Sequence, residues 1–303
     1  MKIASIIVTY NGMRHDWIQK CLDSLIASSI KTEIIVIDNG SADETVDFIQ
    51  KNYPQVDVIE AKENLGFAKA NNRGIRKAYD SGADYFFLLN QDARVETNTI
   101  EKLIEVFEQK PHAGIVSPIH LNGDKTKLDY GFSCCVAPRI TPHFISDVYC
   151  NCLQNVYETK LVYAAAWLLN RNCIETVGGF DTLVFYHYGE DDNYCHRVLY
   201  HQFKLYIATT ASICHDTITF KKEYTEEDKQ LREYIRKCVY YADIQKDDAV
   251  IFEFKKSSIK SILKNLVHLR LNTLLTQRIE DKKFIKKQTQ SRAINKTKGL
   301  HWL

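Results

Sequence analysis

Two stretches decide the fold class of this 303-residue chain: Ile3-Ala4-Ser5-Ile6-Ile7-Val8-Thr9-Tyr10-Asn11 and Glu33-Ile34-Ile35-Val36-Ile37-Asp38-Asn39-Gly40-Ser41. Each is a continuous apolar run rather than an alternation of apolar and polar residues, the pattern of a strand buried on both faces. Each run then stops abruptly in small polar residues. The pattern returns at 85–92, where an apolar run leads into Asn90-Gln91-Asp92, and shorter apolar runs lie at 56–59 and 114–116. Helical periodicities fill the gaps. Trp17, Cys21, Leu22, Leu25 and Ile26 share one face, 67–80 form another helix, and Ile100, Leu103, Ile104 and Phe107 mark a further one. Ser41 with Glu44 three residues later reads as a capping box opening the helix after the second strand. Strand–helix alternation predicts an α/β fold, a Rossmann-like and mostly parallel sheet flanked by helices.

Downstream the pattern breaks. Residues 118–165 read as loops or a small hairpin, 161–169 as a strand or buried segment and 190–200 as a helix. Strands at 205–208 and 211–215 and a helix at 225–241 follow, then an amphipathic basic helical region beyond 254. The expected division is a main domain over 1–220, in two halves meeting at 117, and a helical, basic C-terminal extension over 221–303.

A hydrophobic content of 45% supports a large core, and a net charge of +2 argues against a nucleic-acid partner. The charge is unevenly spread: residues 255–303 hold thirteen Lys or Arg against Glu280 and Asp281, leaving 1–254 at −9. Nine cysteines without a CxxC pair read as reduced thiols in a cytoplasmic protein. No apolar run reaches the roughly 18 residues that span a bilayer.

In open parallel sheets, ligands bind outside the carboxyl ends of the strands. Thr9-Tyr10-Asn11, Asp38-Asn39-Gly40-Ser41 and Asn90-Gln91-Asp92 are then expected on one rim. Taken alone, the second of these is equally a turn and helix cap; three strand ends together point to a site. Neither GxGxxG nor GxxxxGK[ST] occurs, so a nucleotide here has no glycine cradle. Thr9, Asn11 and Asp38 can read its base. Its diphosphate needs a metal, for which Asp92 is the natural ligand to Mg²⁺ or Mn²⁺. Glu190-Asp191-Asp192, beside Gly189, exceeds what a helix N-terminus requires, and a carboxylate there can serve as general base. His215, at a strand end, is either structural or a ligand to metal or phosphate. The acids near 92 and 191 are expected to face a common cleft.

These stretches, with Glu63-Asn64-Leu65-Gly66-Phe67-Ala68, Asn71-Asn72-Arg73-Gly74 and Gly178-Gly179-Phe180-Asp181, occur in an order that resembles the family 2 glycosyltransferases, inverting enzymes of the GT-A fold. The likeness covers about residues 2–217 and is greatest to rhamnosyltransferase-type members that build bacterial surface polysaccharides. It implies that Thr9, Asn11 and Asp38 line a nucleoside pocket, that Asn64 and Asn72 border the nucleotide-sugar donor, and that Asn90-Gln91-Asp92 stands in the DxD position. It makes Asp92 and His215 metal-site residues, Asp191 the base and Glu190 its acceptor-side support. It also implies that 164–170 and 178–181 shape the sugar and acceptor pocket. The acceptor is a saccharide or lipid-linked saccharide. Two departures from the pattern are Asn90 and Asn193, each where the family has an aspartate.

Two rival readings are a sugar nucleotidyltransferase, for which Tyr10-Asn11-Gly12-Met13-Arg14 makes a poor triphosphate loop, and a non-catalytic carbohydrate-binding protein on a decayed transferase fold. In the tail, Ile259, Leu263, Leu266, Val267, Leu271, Leu274 and Leu275 form one stripe, with Lys260, Lys264 and His268 on another face. That helix either packs on the main domain or attaches peripherally to the anionic inner face of the cell membrane.

Overall fold

The computed structural model describes residues 1–216, 225–267 and 271–303. Its strands are β1 (Ile3–Thr9), β2 (Glu33–Asp38), β3 (Asp57–Glu60), β4 (Tyr85–Asn90), β5 (Ala93–Val95), β6 (Ala113–Asn122), β7 (Val156–Thr159), β8 (Ala166–Asn170) and β9 (Lys204–His215). Its helices are α1 (Trp17–Ile26), α2 (Thr45–Asn52), α3 (Gly66–Asp80), α4 (Thr99–Gln109), α5 (Tyr130–Cys135), α6 (Phe144–Tyr149), α7 (Arg171–Val177), α8 (Glu190–Tyr200), α9 (Glu226–Ala242), α10 (Ala249–Val267) and α11 (Leu271–Asn295).

The strands form one sheet in the order β3-β2-β1-β4-β8-β6-β9-β5, with β7 on β9. The first four are parallel, as the strand–helix alternation predicts. The rest is mixed rather than mostly parallel. β8 runs antiparallel to β4 and β6, while β9 is parallel to β6 but antiparallel to β5 and β7. The reason is that a continuous apolar run reports burial on both faces, not direction. Ala166, Trp167, Leu168 and Leu169 are all fully buried in an antiparallel strand. The strand period of two splits each strand between two cores. Ile3 and Ile7 pack with α1 and α4 on one side; Ala4 and Ile6 pack with α3 and α8 on the other.

Three local expectations change. α2 begins at Thr45, not Ser41: the Ser41 hydroxyl binds Asp38, and Asp43 Oδ1 takes the Thr45 N–H and hydroxyl, so no box forms with Glu44. Residues 118–165 hold the end of β6, two short helices and β7 rather than loops. The strands expected at 205–208 and 211–215 are one strand, β9, whose pairing with β6 shifts register at Pro118/Ile119. The capping box that does form is Thr225 with Asp228, at the start of α9.

The C-terminal region is knitted into the rest. Arg292, 2% exposed, donates to the carbonyls of Asp243 (2.6 Å) and Lys246 (2.6 Å) and to Asp248 (2.8 Å). Asp181 accepts from Asn295 Nδ2 (2.9 Å) and the Ser291 hydroxyl. A third core of Phe185, Cys238, Ala242, Phe254 and Phe284 ties the segment before α8 to α9–α11. Of the predicted apolar stripe, Ile259 is exposed; the side chains of its other members, and Lys260, Lys264 and His268, lie outside the described residues. Among the described residues no helix is long and apolar enough to cross a membrane, and all nine cysteines are free.

Candidate active site

The three polar strand ends do converge. Thr9 Oγ1 donates to Gln91 Oε1 (2.6 Å), the Tyr10 N–H joins it (3.0 Å), and Gln91 Nε2 returns a bond to the Tyr10 carbonyl (3.1 Å). The Asn11 N–H donates to Ser41 Oγ (2.9 Å), and Asn11 Oδ1 accepts from the Ala42 N–H (2.9 Å). Asn39 Nδ2 donates to Asn64 Oδ1 (3.1 Å), and Asn39 Oδ1 accepts from the Leu65 N–H (2.7 Å). Above this rim lies a cleft of about 450 Å³, with Tyr10, Asn39, Asn64, Asn90 and Asp92 on its wall and Phe67 and Tyr186 opposite in sequence. Gly66, at φ +76°, lets the cleft close: a Cβ there would lie 2.3 Å from the Tyr186 carbonyl oxygen.

Not every expected residue lines that cleft. Thr9 is fully buried and Asp38 nearly so. Asp38 spends its carboxylate on the Gly40 and Ser41 N–H groups (3.2 and 3.1 Å) and the Ser41 hydroxyl, so it shapes the turn. Asn72 is turned away from the cleft. Its Nδ2 donates to the carbonyls of Phe180 (2.8 Å) and Trp302 (3.1 Å), and its Oδ1 accepts from the Phe180 N–H (2.7 Å). Both ends of the amide are consumed in holding the 178–181 loop and the C-terminus. Asp181 is likewise buried and bonded to α11, and lines neither this cleft nor the one beside Asp191.

At the foot of the cleft, antiparallel pairing of β5 and β9 sets Ala93 opposite His215. That register carries Asp92 to the imidazole, Oδ1 to Nε2 3.3 Å, with Asn90 Nδ2 3.4 Å from the same nitrogen. On the other side Asp129 Oδ2 lies 3.4 Å from Nδ1. Burial alone would lower the His215 pKa, but hydrogen bonds and charge from Asp129 and Asp92 outweigh it and raise it to about 9. The imidazole is therefore a cation between two carboxylates at neutral pH. His120, buried behind it at 6.4 Å between ring centroids, is pushed down to about 3 by burial and by that cation. No group of three or more His, Cys, Asp or Glu is poised for a metal among the described residues. Asp92 and His215 offer two ligands, and diphosphate and water oxygens would complete a shell of six. Sequence reasoning missed Asp129, because it doubles as the N-cap of α5, accepting from the Phe132 N–H (3.0 Å), and so reads as ordinary capping.

The acidic triplet opens α8 behind Gly189, which sits at φ +86°. Burial, then the Asp191 charge, raises Glu190 to about 7, and the same causes raise Asp192 to about 7. Burial also raises Asp191, which the amides of Asp192 and Ala164 draw back down. Asn193 is fully buried, so an aspartate there would put a fourth carboxylate into a site that already holds protons to relieve repulsion. That accounts for one departure from the family pattern.

Asp92 and Asp191 do not share one cavity, as the sequence reading expected. Asp191 and Asp192 line a second cleft, of about 650 Å³. The segment between the clefts divides them: Tyr186 and His187 face the first, Tyr188 and Gly189 the second. The floors are nevertheless adjacent. The Asn90 N–H donates to the Ala165 carbonyl (3.0 Å), and the next residue back, Ala164, supplies the amide at Asp191.

Residues 5–146 match the family model described as Glycosyl transferase family 2. The matched stretch, 142 of the 303 residues, takes in most of β1 and then β2 to β6, with the polar rim of the first cleft. The chain is 25% identical over 217 residues to the dTDP-rhamnosyl transferase RfbF of Shigella flexneri, covering 70% of this chain and 68% of that protein. It is 34% identical over 118 residues to the poly-beta-1,6-N-acetyl-D-glucosamine synthase of Staphylococcus aureus (strain MSSA476), spanning 38% of this chain but only 27% of the synthase. Among solved structures, S. aureus TarS 1–349 in complex with UDP-GlcNAc matches with a TM-score of 0.55 at 15% identity, over 82% of this chain and 68% of that one. GalNAc-T7 with UDP, GalNAc and Mn²⁺ matches at 0.56 and 14% identity, over 71% of this chain and 44% of that one. At these identities the structural likeness establishes the GT-A fold. The α/β family 2 domain is thus a mixed-sheet GT-A domain with added C-terminal helices.

Proposed function

We propose that this family 2 protein is an inverting glycosyltransferase that moves a sugar, rhamnose or a hexose, from a nucleoside diphosphate to a saccharide or lipid-linked saccharide in surface-polysaccharide synthesis. The observation that carries the reading is the adjacency of the two cleft floors: Asn90, two residues before Asp92, bonds to the Ala165 carbonyl, and the amide of Ala164 serves Asp191. A donor in the smaller cleft has its diphosphate beside Asp92 and its sugar toward residues 164–165, where Asp191 approaches from the other cleft.

In this reading residues 1–220 are the catalytic domain and 221–303 its helical extension. Asn64, Asn90 and Tyr10 contact the nucleotide sugar; Thr9, Asn11 and Asp38 hold the rim in shape. Asp92 and His215 would hold a divalent cation, whose contribution is to neutralise charge on the departing diphosphate. An imidazole ligand favours Mn²⁺ over Mg²⁺, and binding it requires His215 to release its proton. Asp191 removes the proton from the acceptor hydroxyl as that oxygen attacks the anomeric carbon, and the nucleoside diphosphate leaves from the opposite face. One displacement inverts that carbon. Glu190, buried beside Asp191 at the start of α8, supports the acceptor side. The exposed basic face of α11, with Lys282, Lys283, Lys286 and Lys287, suits a peripheral contact with an anionic cytoplasmic leaflet.

A thermal-shift screen of UDP-, dTDP- and GDP-sugars with and without Mn²⁺, followed by a donor-hydrolysis assay, tests the reading. One donor class is expected to stabilise the chain in a Mn²⁺-dependent way and to be slowly hydrolysed. Stabilisation without hydrolysis or transfer would favour a binding protein on a decayed site.

A further inference from the structure

The larger cleft is walled on one side by the start of α8 and the segments before β8 and α8, and on the other by α9; both walls lie beyond the matched residues 5–146. From the first wall come Tyr163, Tyr188 and Asp191; from α9 come Arg236 and Tyr240, with Lys246 just beyond it. At about 650 Å³ the cleft falls within the roughly 300–1,000 Å³ of small-molecule sites. Two features define what fits. Three tyrosines, Tyr163, Tyr188 and Tyr240, line the cleft, and aromatic rings with polar tips suit a pyranose that stacks on them while bonding through its hydroxyls. Lys246 is already taken, held by Asp243 at 3.2 Å and lying 4.9 Å above the Tyr240 ring. Arg236 pairs with no acidic group among the described residues, although it lines a cleft whose other end carries carboxylates.

We infer that this cleft is the acceptor site, that α9 completes it, and that it selects a saccharide bearing an anionic group. The sugar rings lie against Tyr163, Tyr188 and Tyr240, one hydroxyl reaches Asp191, and the anion, a sugar carboxylate or a phosphate, is held by Arg236. A guanidinium suits both anions because its planar fork matches their paired oxygens. The inference rests on the transferase reading above, since Asp191 is taken as the base. It adds that α9, in the C-terminal extension, shares in acceptor choice.

The test is calorimetry or saturation-transfer NMR on the full chain with three probes: a disaccharide containing a hexuronic acid, a hexose 1-phosphate and a matched neutral disaccharide. One anionic probe is expected to bind at least about tenfold more tightly than the neutral one, the scale of a charge-assisted hydrogen bond. Which of the two wins identifies the anion as carboxylate or phosphate. Arg236→Gln should erase the preference, Arg236→Lys should restore part of it, and Tyr240→Ala should weaken all three probes alike. The melting temperature of Arg236→Gln should match that of the unaltered chain. Equal binding of charged and neutral probes, a preference that survives Arg236→Gln, or indifference to Tyr240→Ala each overturns the inference. An unaltered chain that hydrolyses and transfers no nucleotide sugar instead overturns the transferase reading on which it rests.

Discussion

Asp192→Asn should stabilise the protein at alkaline pH, and the size of the effect follows from the crowding at the start of α8. Burial and the neighbouring Asp191 raise the Asp192 carboxyl to about 7, whereas the unfolded chain ionises it near 4. The sign follows from linkage. Below about pH 4 the carboxyl is protonated in both states and costs nothing. As pH rises toward 7 the folded chain must hold a proton that the unfolded chain releases, so stability falls, and above 7 the loss is complete. Three decades in proton affinity correspond to about 4 kcal/mol; the half-exposed edge of the cleft reduces this to about 2–4 kcal/mol. Asparagine keeps a hydrogen bond toward Asp191 and removes the charge. The melting temperature at pH 8 should rise by roughly 5–12 °C, at about 2–4 °C per kcal/mol for a chain of this size. At pH 5, where only about 1 kcal/mol of penalty has accumulated, the gain should shrink to a few degrees. Paired thermal melts at the two pH values decide it. An equal gain at both, or a loss at pH 8, would refute the account of the cluster as repelling, partly protonated carboxylates.

Asp191→Asn should lower turnover by about 10²–10⁴-fold while leaving donor affinity nearly unchanged; near-normal kcat removes it from the mechanism. Asp92→Ala should abolish any Mn²⁺-dependent part of nucleotide affinity and lower the His215 pKa read by NMR titration, because one of the two carboxylates that raise it is gone. Asn72→Ala strands the Phe180 N–H and two carbonyls in the interior, a cost of about 2–4 kcal/mol; a denaturant melt showing less than about 1 kcal/mol would mean the amide is not the clamp it looks. Gly66→Ala places a methyl group against the Tyr186 carbonyl in a left-handed backbone, and should weaken nucleotide-sugar binding measured by calorimetry more than it lowers the melting temperature.

The N-terminal half of this protein is legible in its sequence because its instructions are local. An apolar run followed by Asp38-Asn39-Gly40-Ser41 specifies a buried strand and the turn that ends it, and parallel crossovers place such ends together. The convergence of Thr9, Asp38 and Asn90 therefore follows from pattern alone. Whether a polar residue then faces the cleft or supports it is not a local property. Thr9 and Asp38 look like ligand residues until their oxygens are seen to be consumed by Gln91 and Ser41. The direction of β8 was hidden for the same reason, since full burial erases the alternation that marks an antiparallel strand with one wet face.

Asn72 and Asp181 expose the deeper limit. Both stand in family-like motifs, and both look like site residues from sequence. Their partners are Trp302, Ser291 and Asn295, more than a hundred residues away. Nothing in Gly178-Gly179-Phe180-Asp181 announces that its aspartate will meet the last helix, because a buried hydrogen bond leaves no periodicity. Yet these bonds have a consequence for chemistry. Asp181 also accepts from the Leu183 and Val184 N–H groups (2.9 and 3.2 Å), and Phe185 next to them is anchored in the core shared with α9, α10 and α11. The segment that divides the two clefts, 186–189, hangs from that anchor. The position of Asp191 relative to Asp92 is therefore set partly by the C-terminal helices, which ties the basic extension to the acidic opening of α8 by packing.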